Sequence, residues 1–392
     1  MKTVVFLFLA LQVQAATWYI ATNGSDSNAC TSAGSPCLSL NGAYQKASGG
    51  DIIKIAAGTY SAAQNIATKT PASTIYAEPA AGVTGTWAIY FSGGVFGIGG
   101  KLFELRSDSG TPRCQQNCII RVSEFQVTGA SQYLTLRNVD ITGYLGYTSG
   151  NDIAVIGGSV GGGTDYKPQI APASGWGTQG NRFLFDGVLF HDWVRSSSAT
   201  HIECLQVAGT NAMTIRNSTF RRCDVFDLSF TAYNSSGNVT NLVLENNIFA
   251  NSSDINGSGT GSGTVHLTAT TSAMIRFNSA AGFMWAGQEQ GSLGALTVTA
   301  NNITGGFLSG DTGGCSSFVT YSYNVTSGWK CGATDINAAQ GFVNSTTASL
   351  DLHLTSGATA RDCPDFSEWW LPVHGPRWIH PARLDKLRRR RV

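Results

Sequence analysis

A short phrase that recurs along the chain constrains the fold more than any other feature. Each copy has alternating apolar residues, then Asn or Gly, then another apolar residue, as in Met213–Phe220. Alternation with a period of two predicts a strand with one buried face, and Asn or Gly favours a turn after it. From Gly187 onward the copies recur every 23 to 32 residues. This spacing is typical of one solenoid coil with variable loops.

The repeats predict an all-β parallel β-helix. Equivalent residues of stacked coils lie ~4.8 Å apart, so the recurring Asn residues are expected to form one hydrogen-bonded ladder. The predicted ladder contains Asn138, Asn217, Asn246, Asn278, Asn301 and Asn324. The gap from Asn138 to Gly187 is about twice one coil and leaves open either a degenerate coil or a long loop. A β-sandwich with Asn-rich turns is the alternative, but its strands would not repeat one phrase at one offset.

The chain is expected to have three parts. Residues 1–15 are predicted to be a signal peptide, because Lys2 precedes an apolar run too short to span a bilayer and a small-x-small cleavage site follows. Residues 16–355 are predicted to form the β-helix. Residues 356–392 lack the repeat and are expected to be an irregular basic tail. Residues 38–47 are predicted to form a short helix that caps the N-terminal end.

Composition excludes several partner classes. Only 12% of residues are charged and the net charge is +1, so no nucleic-acid partner and no membrane span are expected. Nine cysteines in an exported chain indicate an oxidising compartment. Local spacing favours the pairs Cys30–Cys37, Cys114–Cys118 and Cys315–Cys331, whereas Cys204, Cys223 and Cys363 cannot all pair with one another. A secreted monomer is predicted.

The opening of the mature chain resembles a known superfamily. Residues 17–26, 35–40 and 50–60 resemble the opening segment of the pectin-lyase-like superfamily of right-handed parallel β-helices. With the repeats, the resemblance extends to about residue 355. It implies a right-handed coil and a carbohydrate-related role, but the superfamily includes lyases, hydrolases, esterases, epimerases, tailspikes and adhesins. The patterns of the best-known polygalacturonases and calcium pectate lyases are absent, so no catalytic residue is transferred.

Polar and ionisable residues are concentrated in residues 181–230, and repeat register places some of them together. Leu205, Leu228 and Val265 are predicted to stack inward, as are Val207, Phe230 and Leu267. Gln206, Ser229 and His266 are predicted to form one outward column, and Cys204, Asp227 and Thr264 a second. The candidate catalytic residues are His191, Asp192, His201, Glu203, Asp224 and Asp227. The candidate substrate-binding residues are Trp193, Arg195, Gln206, Arg222 and His266.

Two reactions suit such a patch. Glycoside hydrolysis needs two carboxyl groups about 5–5.5 Å apart for retention or about 6.5–9.5 Å for inversion. Elimination from a uronic acid needs a cation for the carboxylate and a base for the adjacent proton. The candidate cations are Lys167, Arg195, Arg221 and Arg222, and the candidate bases are His191, His201 and His266. Calcium is a candidate cofactor, with Asp192, Glu203, Asp224 and Asp227 as oxygen ligands.

Several of these candidate residues also have a purely structural interpretation. Asp192 and Arg222 occupy equivalent turn positions and could form only an ion pair. Glu203 has the parity of an inward position, which requires a strong partner or a strand that begins after it. Register makes a Cys204–Cys223 disulfide doubtful. Aromatic platforms for sugar rings are expected in loops, at Trp176, Trp193, Tyr233 and Trp285.

The sequence therefore predicts a secreted protein that acts on an extracellular polysaccharide. The first hypothesis is a polysaccharide lyase or glycoside hydrolase. The alternative is a glycan-binding or adhesion module without catalysis. Convergence of the outward carboxylates, a base and a cation would favour catalysis, and scattered carboxylates would favour binding.

Overall fold

The structure is a computed structural model, and it describes twelve stretches of the chain. These are residues 15–108, 114–147, 149–164, 169–170, 180–196, 202–231, 237–250, 264–287, 292–309, 312–339, 341–344 and 351–354. The predicted signal peptide lies outside the described residues except for its last residue, and so does the predicted tail from residue 356 onward.

Strands that pair in parallel from coil to coil form three faces of a β-helix. Face one contains β1 (Thr17–Ile20), β2 (Ile52–Ile55), β5 (Ile75–Pro79), the second half of β7 (Val95–Arg106), β9 (Gln132–Arg137), β11 (Asn151–Ile156), β14 (Asn181–Asp186), β17 (Thr214–Arg216), β20 (Leu242–Glu245), β23 (Ser272–Arg276), β26 (Ala295–Thr299) and β30 (Val319–Ser322).

Face two follows face one in each coil. It contains β3 (Gly58–Tyr60), β6 (Ile89–Phe91), the first halves of β8 (Ile120–Thr128) and β10 (Val139–Tyr147), β12 (Ser159–Gly161), β15 (Leu189–Trp193), β18 (Thr219–Cys223), β21 (Ile248–Phe249), β24 (Ser279–Ala280), β27 (Asn302–Ile303), β31 (Val325–Thr326) and β32 (Ile336–Asn337).

Face three completes the coil. It contains β4 (Gln64–Lys69), the first half of β7, the second halves of β8 and β10, β13 (Gln169–Ile170), β16 (Glu203–Ala208), β19 (Phe226–Thr231), β22 (Val265–Leu267), β25 (Phe283–Ala286) and β28 (Gly306–Ser309). Two antiparallel pairings occur at the C-terminal end, β28 with β29 (Thr312–Gly313) and β33 (Phe342–Asn344) with β34 (Asp351–Leu354).

The parallel β-helix predicted from the repeats is confirmed. Of the two alternatives for the gap between Asn138 and Gly187, the degenerate coil is the one present, because β11 and β12 pair with the coils before and after them. Residues 351–354 form a strand that pairs antiparallel with β33.

The interior is a continuous apolar stack. Phe190, Phe220 and Phe249 occupy the same position in successive coils, with ring centroids 4.6 and 5.0 Å apart. All three side chains are fully buried. Stacking of equivalent rings fixes the register, because a shift of one residue would move an aromatic ring from the core to the surface.

A short helix covers the N-terminal end, as predicted. It is α1 (Leu40–Lys46), which begins after Ser39, whose hydroxyl accepts a hydrogen bond from the Gly42 amide at 2.9 Å. Its buried side chains are Leu40, Ala43 and Tyr44. The cap therefore excludes water from the first coil.

The predicted Asn ladder exists, but its membership differs from the prediction. Asn247, Asn278, Asn301 and Asn324 each donate from Nδ2 to the Oδ1 of the next member, at 2.9–3.0 Å, and Asp335 accepts the last bond. Asn217 and Asn246 belong to a separate, shorter chain of bonds that ends on Asp186. Asn138 donates to Asp108 Oδ1 instead of to a ladder member. The prediction of one ladder was therefore wrong for Asn138, Asn217 and Asn246.

A positive backbone φ explains the shift. Asn138, Asn217 and Asn246 hold the left-handed turn position, with φ of 53–54°. In later coils Phe277, Ala300 and Tyr323 hold that position, with φ of 54–58°, and the Asn follows one residue later. Asn tolerates this conformation better than most other non-glycine residues. The same sequence phrase therefore fits two alignments that differ by one residue.

Candidate functional site

A row of aligned backbone positions with outward parity runs along face three, and we call it the outer column. Of its members, Ser229 is fully buried and His266 is 6% exposed. Strand register aligns Gln206, Ser229 and His266 in successive coils, as predicted. The same register aligns the predicted inward residues: Leu205 with Leu228 and Val265, and Val207 with Phe230 and Leu267. Equivalent residues in adjacent coils lie ~4.8 Å apart, so the column is a regular linear array on rigid strands.

The outer column extends further toward the N-terminus than sequence reasoning indicated. Gln206 pairs with Gln169, Gln169 with Gly146, and Gly146 with Gln126. At the other end His266 pairs with Trp285. From Gln126 to Trp285 the column spans six coil steps, or about 29 Å. The recurring Gln-Val and Gln-Ile dipeptides at 126, 169 and 206 were the sequence signal for this extension.

Next to the column, Tyr144 and Glu124 pair across adjacent coils. The Tyr144 ring occupies the space beside Gly146, where a Cβ would lie 2.4 Å from the ring. Burial raises the pKa of the Tyr144 hydroxyl, and the nearby Glu124 carboxylate raises it further. Tyr144 therefore stays protonated at neutral pH and can donate a hydrogen bond from this part of face three.

Phe226 is related to two of the candidate residues, Glu203 and His266. Glu203 pairs in register with Phe226, whose ring stacks on the His266 imidazole at 4.5 Å and 9°. The His266 Nδ1 is 3.4 Å from the Ser229 hydroxyl. Phe226 is buried but is not part of the main hydrophobic core. Glu203 therefore occupies the same register position as Phe226. Simple alternation along the strand predicts that the Glu203 side chain points inward.

Two more predicted residues meet at the corner between faces two and three. The backbone N–H of Arg195 donates to Asp224 Oδ2 at 2.6 Å. Asp224 lies in the turn between β18 and β19, and Asp227 lies in β19 beside Phe226. Glu203, Asp224 and Asp227 are all fully buried, and Arg195 is 4% exposed. The corner therefore concentrates three carboxyl groups and one guanidinium group in adjacent coils.

His191, Asp192 and Arg222 form a second group, at the end of face two. Asp192 Oδ2 is 2.6 Å from His191 Nδ1, and Asp192 Oδ1 is 2.6 Å from Arg222 Nε. The ion pair between equivalent turn positions is therefore confirmed. Asp192 is therefore held by two partners at the end of face two.

Trp193 is not an exposed aromatic platform. It lies in β15, is fully buried, and donates from Nε1 to the Val160 carbonyl at 3.3 Å. Its ring fills the space beside Gly163, where a Cβ would lie 1.9 Å away. The expectation that it lies in a loop was wrong. Trp285 also lies in a strand, β25, rather than in a loop.

Cys204 and Cys223 form a disulfide, contrary to the expectation from register. Both residues are fully buried in the hydrophobic core. The predicted outward position of Cys204 was therefore wrong, because regular alternation does not hold between Glu203 and Leu205. The three disulfides predicted from local spacing are also present.

Several candidates lie outside the described residues. They are His201, Lys167, Trp176, Tyr233 and Cys363. Within the part of the chain that is described, no group of three or more His, Cys, Asp or Glu residues is arranged to hold a metal ion. No helix among the described residues is long and apolar enough to cross a membrane.

Comparisons with known proteins support the fold. The chain is similar to the solved structure of a pectate lyase, Pel9A, with a TM-score of 0.51 and 15% identity, over 89% of this chain and 91% of that one. It is also similar to PfbA, a surface adhesin of Streptococcus pneumoniae (TM-score 0.41, 12% identity, 73% and 80% covered), and to a rhamnogalacturonan lyase (0.38, 12%, 95% and 98%). No family model and no curated protein matches the chain significantly.

The class of protein follows from these observations. The chain has a parallel β-helix fold, so the resemblance noted in the opening segment is confirmed at the level of fold. Identity of 15% is evidence for the fold alone.

Proposed function

We propose that this chain is a secreted protein that binds an extracellular polysaccharide along the outer column of face three and cleaves it there. The observation that carries the proposal is the regular polar column that includes Gln126, Gln206, Ser229 and His266. A polymer with repeating hydroxyl groups can bond to a linear array of amide, hydroxyl and imidazole groups. Four disulfides support an exported protein, because such bonds persist in oxidising compartments.

Cleavage would take place beside the column, where the ionisable groups are densest. Glu203 and Asp227 lie in paired strands of adjacent coils, one residue out of register, and are the candidate pair of carboxyl groups for hydrolysis of a glycosidic bond. His266 lies one coil further along and can act as a base near neutral pH. Arg195 supplies a positive charge that can stabilise a uronic-acid carboxylate during elimination. Elimination and hydrolysis are therefore both within the chemistry of this corner.

Binding without catalysis is the second candidate. It is favoured by the burial of Glu203, Asp224 and Asp227, none of which has measurable exposure. Ionised groups that touch no solvent are commonly structural, with partners that compensate their burial. In that case the half-buried Gln126 and Gln206 of the column would contribute to the binding surface of an adhesion or glycan-binding module.

The two candidates differ in their products. We would incubate the full chain with a panel of uronic-acid polymers and neutral glycans, with and without a chelator. New absorbance from unsaturated ends would identify elimination, and reducing ends without that absorbance would identify hydrolysis. Binding without either product would establish the adhesion alternative. Absence of both binding and products over the whole panel would contradict the proposal.

Matched variants locate the activity. Glu203→Gln and Asp227→Asn are expected to lower the rate by about 100-fold or more, which is a typical loss for a general acid or base. Glu245→Gln is the control, because Glu245 is a half-buried carboxylate on face one that pairs with Arg276 at 3.2 Å. Thermal unfolding of each variant would separate a catalytic loss from misfolding. An active Glu203→Gln, Asp227→Asn double variant would exclude the corner as the catalytic site.

A further inference from the structure

A cationic aromatic cluster lies on the outer side of face two, away from the outer column. The guanidinium carbon of Arg121 is 4.4 Å from the centroid of the Trp87 ring and 4.6 Å from that of Tyr90. Arg121 and Tyr90 pair in adjacent coils of β8 and β6. Both rings therefore contact the same guanidinium, an arrangement stabilised by cation–π attraction.

The hydrogen bonds around this cluster hold the indole in place and leave Arg121 without an ion pair. Trp87 Nε1 donates to Asp140 Oδ2 at 2.7 Å, and that carboxylate also accepts from the Cys118 amide and the Ser159 hydroxyl. Arg121 donates from Nε to the Thr142 hydroxyl at 2.9 Å. Although Asp140 lies on the next strand, it is buried and bonded to these neutral donors.

Six other arginines of the described residues differ in this respect. Carboxylates pair with Arg106, Arg137, Arg182, Arg216, Arg222 and Arg276. In the described part of the chain no ion pair includes Arg121. Its two Nη groups can therefore form a bidentate contact with an anion, which Lys could not reproduce.

We propose that Trp87, Arg121 and Tyr90 form a second saccharide site, selective for a sugar that carries an anionic group. Trp87 is 38% exposed, so its indole is available to the apolar face of a sugar ring. The Arg121 guanidinium pairs with the anionic substituent, either a uronic-acid carboxylate or a sulfate ester. The site is preorganised, because the backbone at Trp87 has a φ of 54° and the indole is bonded to Asp140.

This site is independent of the proposed function. It lies on face two at β6 and β8, whereas the catalytic candidates lie at β16, β19 and β22 of face three. It would retain an acidic polymer on the protein whether or not cleavage occurs.

Footprinting at Trp87 tests the proposal directly. The full chain would be exposed to hydroxyl radicals with an oligogalacturonate, a sulfated oligosaccharide or a neutral glucan oligomer, and oxidation of Trp87 would be measured by peptide mass spectrometry. We expect at least one of the two anionic ligands to protect Trp87, and the neutral oligomer not to protect it. Which anionic ligand protects identifies the substituent.

Variants establish the role of the charge. Arg121→Gln is expected to raise the ligand concentration that half-protects Trp87 by at least about tenfold, as for loss of a bidentate charged contact. Arg121→Lys should give an intermediate shift, and Arg137→Gln, which removes a surface arginine paired with Glu104, should give none. No protection of wild-type Trp87 by either anionic ligand, equal protection by the neutral oligomer, or undiminished protection in Arg121→Gln would each overturn the proposal.

Discussion

At the scale of single residues, the Asn ladder shows how one side chain satisfies several backbone groups. Asn278 Oδ1 accepts from both nitrogens of Asn247, and its Nδ2 donates to Asn301 and to the carbonyls of Leu244 and Arg276. The residue is fully buried, so these groups have no access to water in its place. Repetition of this pattern forms a hydrogen-bonded column along the corner between faces one and two.

Replacement of Asn278 by Ala is expected to destabilise the protein by at least about 2 kcal/mol, since each buried group left without a partner costs about 1–3 kcal/mol. The measurement is the midpoint of chemical or thermal unfolding. Ser272→Ala is the control, because its hydroxyl bonds to Asn241 at an exposed position and should shift stability by less than about 0.5 kcal/mol. Equal effects of the two variants would contradict the ladder's role.

The sequence identified the ladder but not which of two adjacent positions in each coil belongs to it. The phrase with Asn at its centre was recognisable because Asn suits both the left-handed turn and the buried ladder position beside it. Asn246 and Asn247 are adjacent and take one role each, so spacing alone could not assign them. The assignment depends on which residue bonds across coils, and that is decided by the backbone of the neighbouring coil.

At the scale of elements, simple alternation failed where a strand contains a left-handed residue. Phe190 points into the core and His191 lies outside it, and Asp192 then has a φ of 55°. The chain therefore turns so that Trp193 enters the core, where alternation would place Asp192. Arg222 has a φ of 57° and has the same effect on Cys223. The buried positions of Trp193 and Cys223 follow from this turn, which the sequence did not reveal.

The N-terminal cap depends on one buried carboxylate. Asp51 accepts from the amides of Ala16 and Ser48 and from Trp18 Nε1, at 2.7–2.9 Å, and so ties β1 to the end of the capping helix. Burial raises the pKa of Asp51, but these hydrogen bonds and the charge of Lys69 outweigh burial, so the pKa lies below its ordinary value. A lowered pKa in the folded state stabilises the fold above the unfolded pKa, near 4, and the contribution is lost as pH falls through the folded pKa.

Asp51→Asn is therefore expected to lower stability by about 1–3 kcal/mol at pH 7, because charge-assisted hydrogen bonds are lost. The difference from wild type should shrink below about pH 4, where the Asp51 carboxylate of the unfolded wild-type chain begins to take up a proton. Thermal unfolding midpoints at pH 7 and pH 3 measure this change. Glu245→Gln is the control, because Glu245 is a half-buried carboxylate on face one. A difference that stays constant or grows on acidification would show that Asp51 does not act through its charge.

At the scale of the whole molecule, coil stacking determined what the sequence could predict. The parallel β-helix and the column of Gln206, Ser229 and His266 follow from one repeated phrase, because each coil copies the register of its neighbour. The coil at β11 and β12 lacks that phrase, so the sequence left it open against a long loop. The corner groups were harder to place. Their positions depend on irregular turns between faces, so Glu203, Asp224 and Arg195 could be named as candidates but not arranged.

The central claim is that a polysaccharide binds along face three. Hydrogen–deuterium exchange of the full chain, with and without the polymer that binds best in the panel, tests it most directly. The account predicts slower exchange at β16, β19 and β22, and unchanged exchange at β14, β17 and β20, which belong to the same coils on face one. Protection confined to face one, or protection spread equally over both faces, would contradict the account.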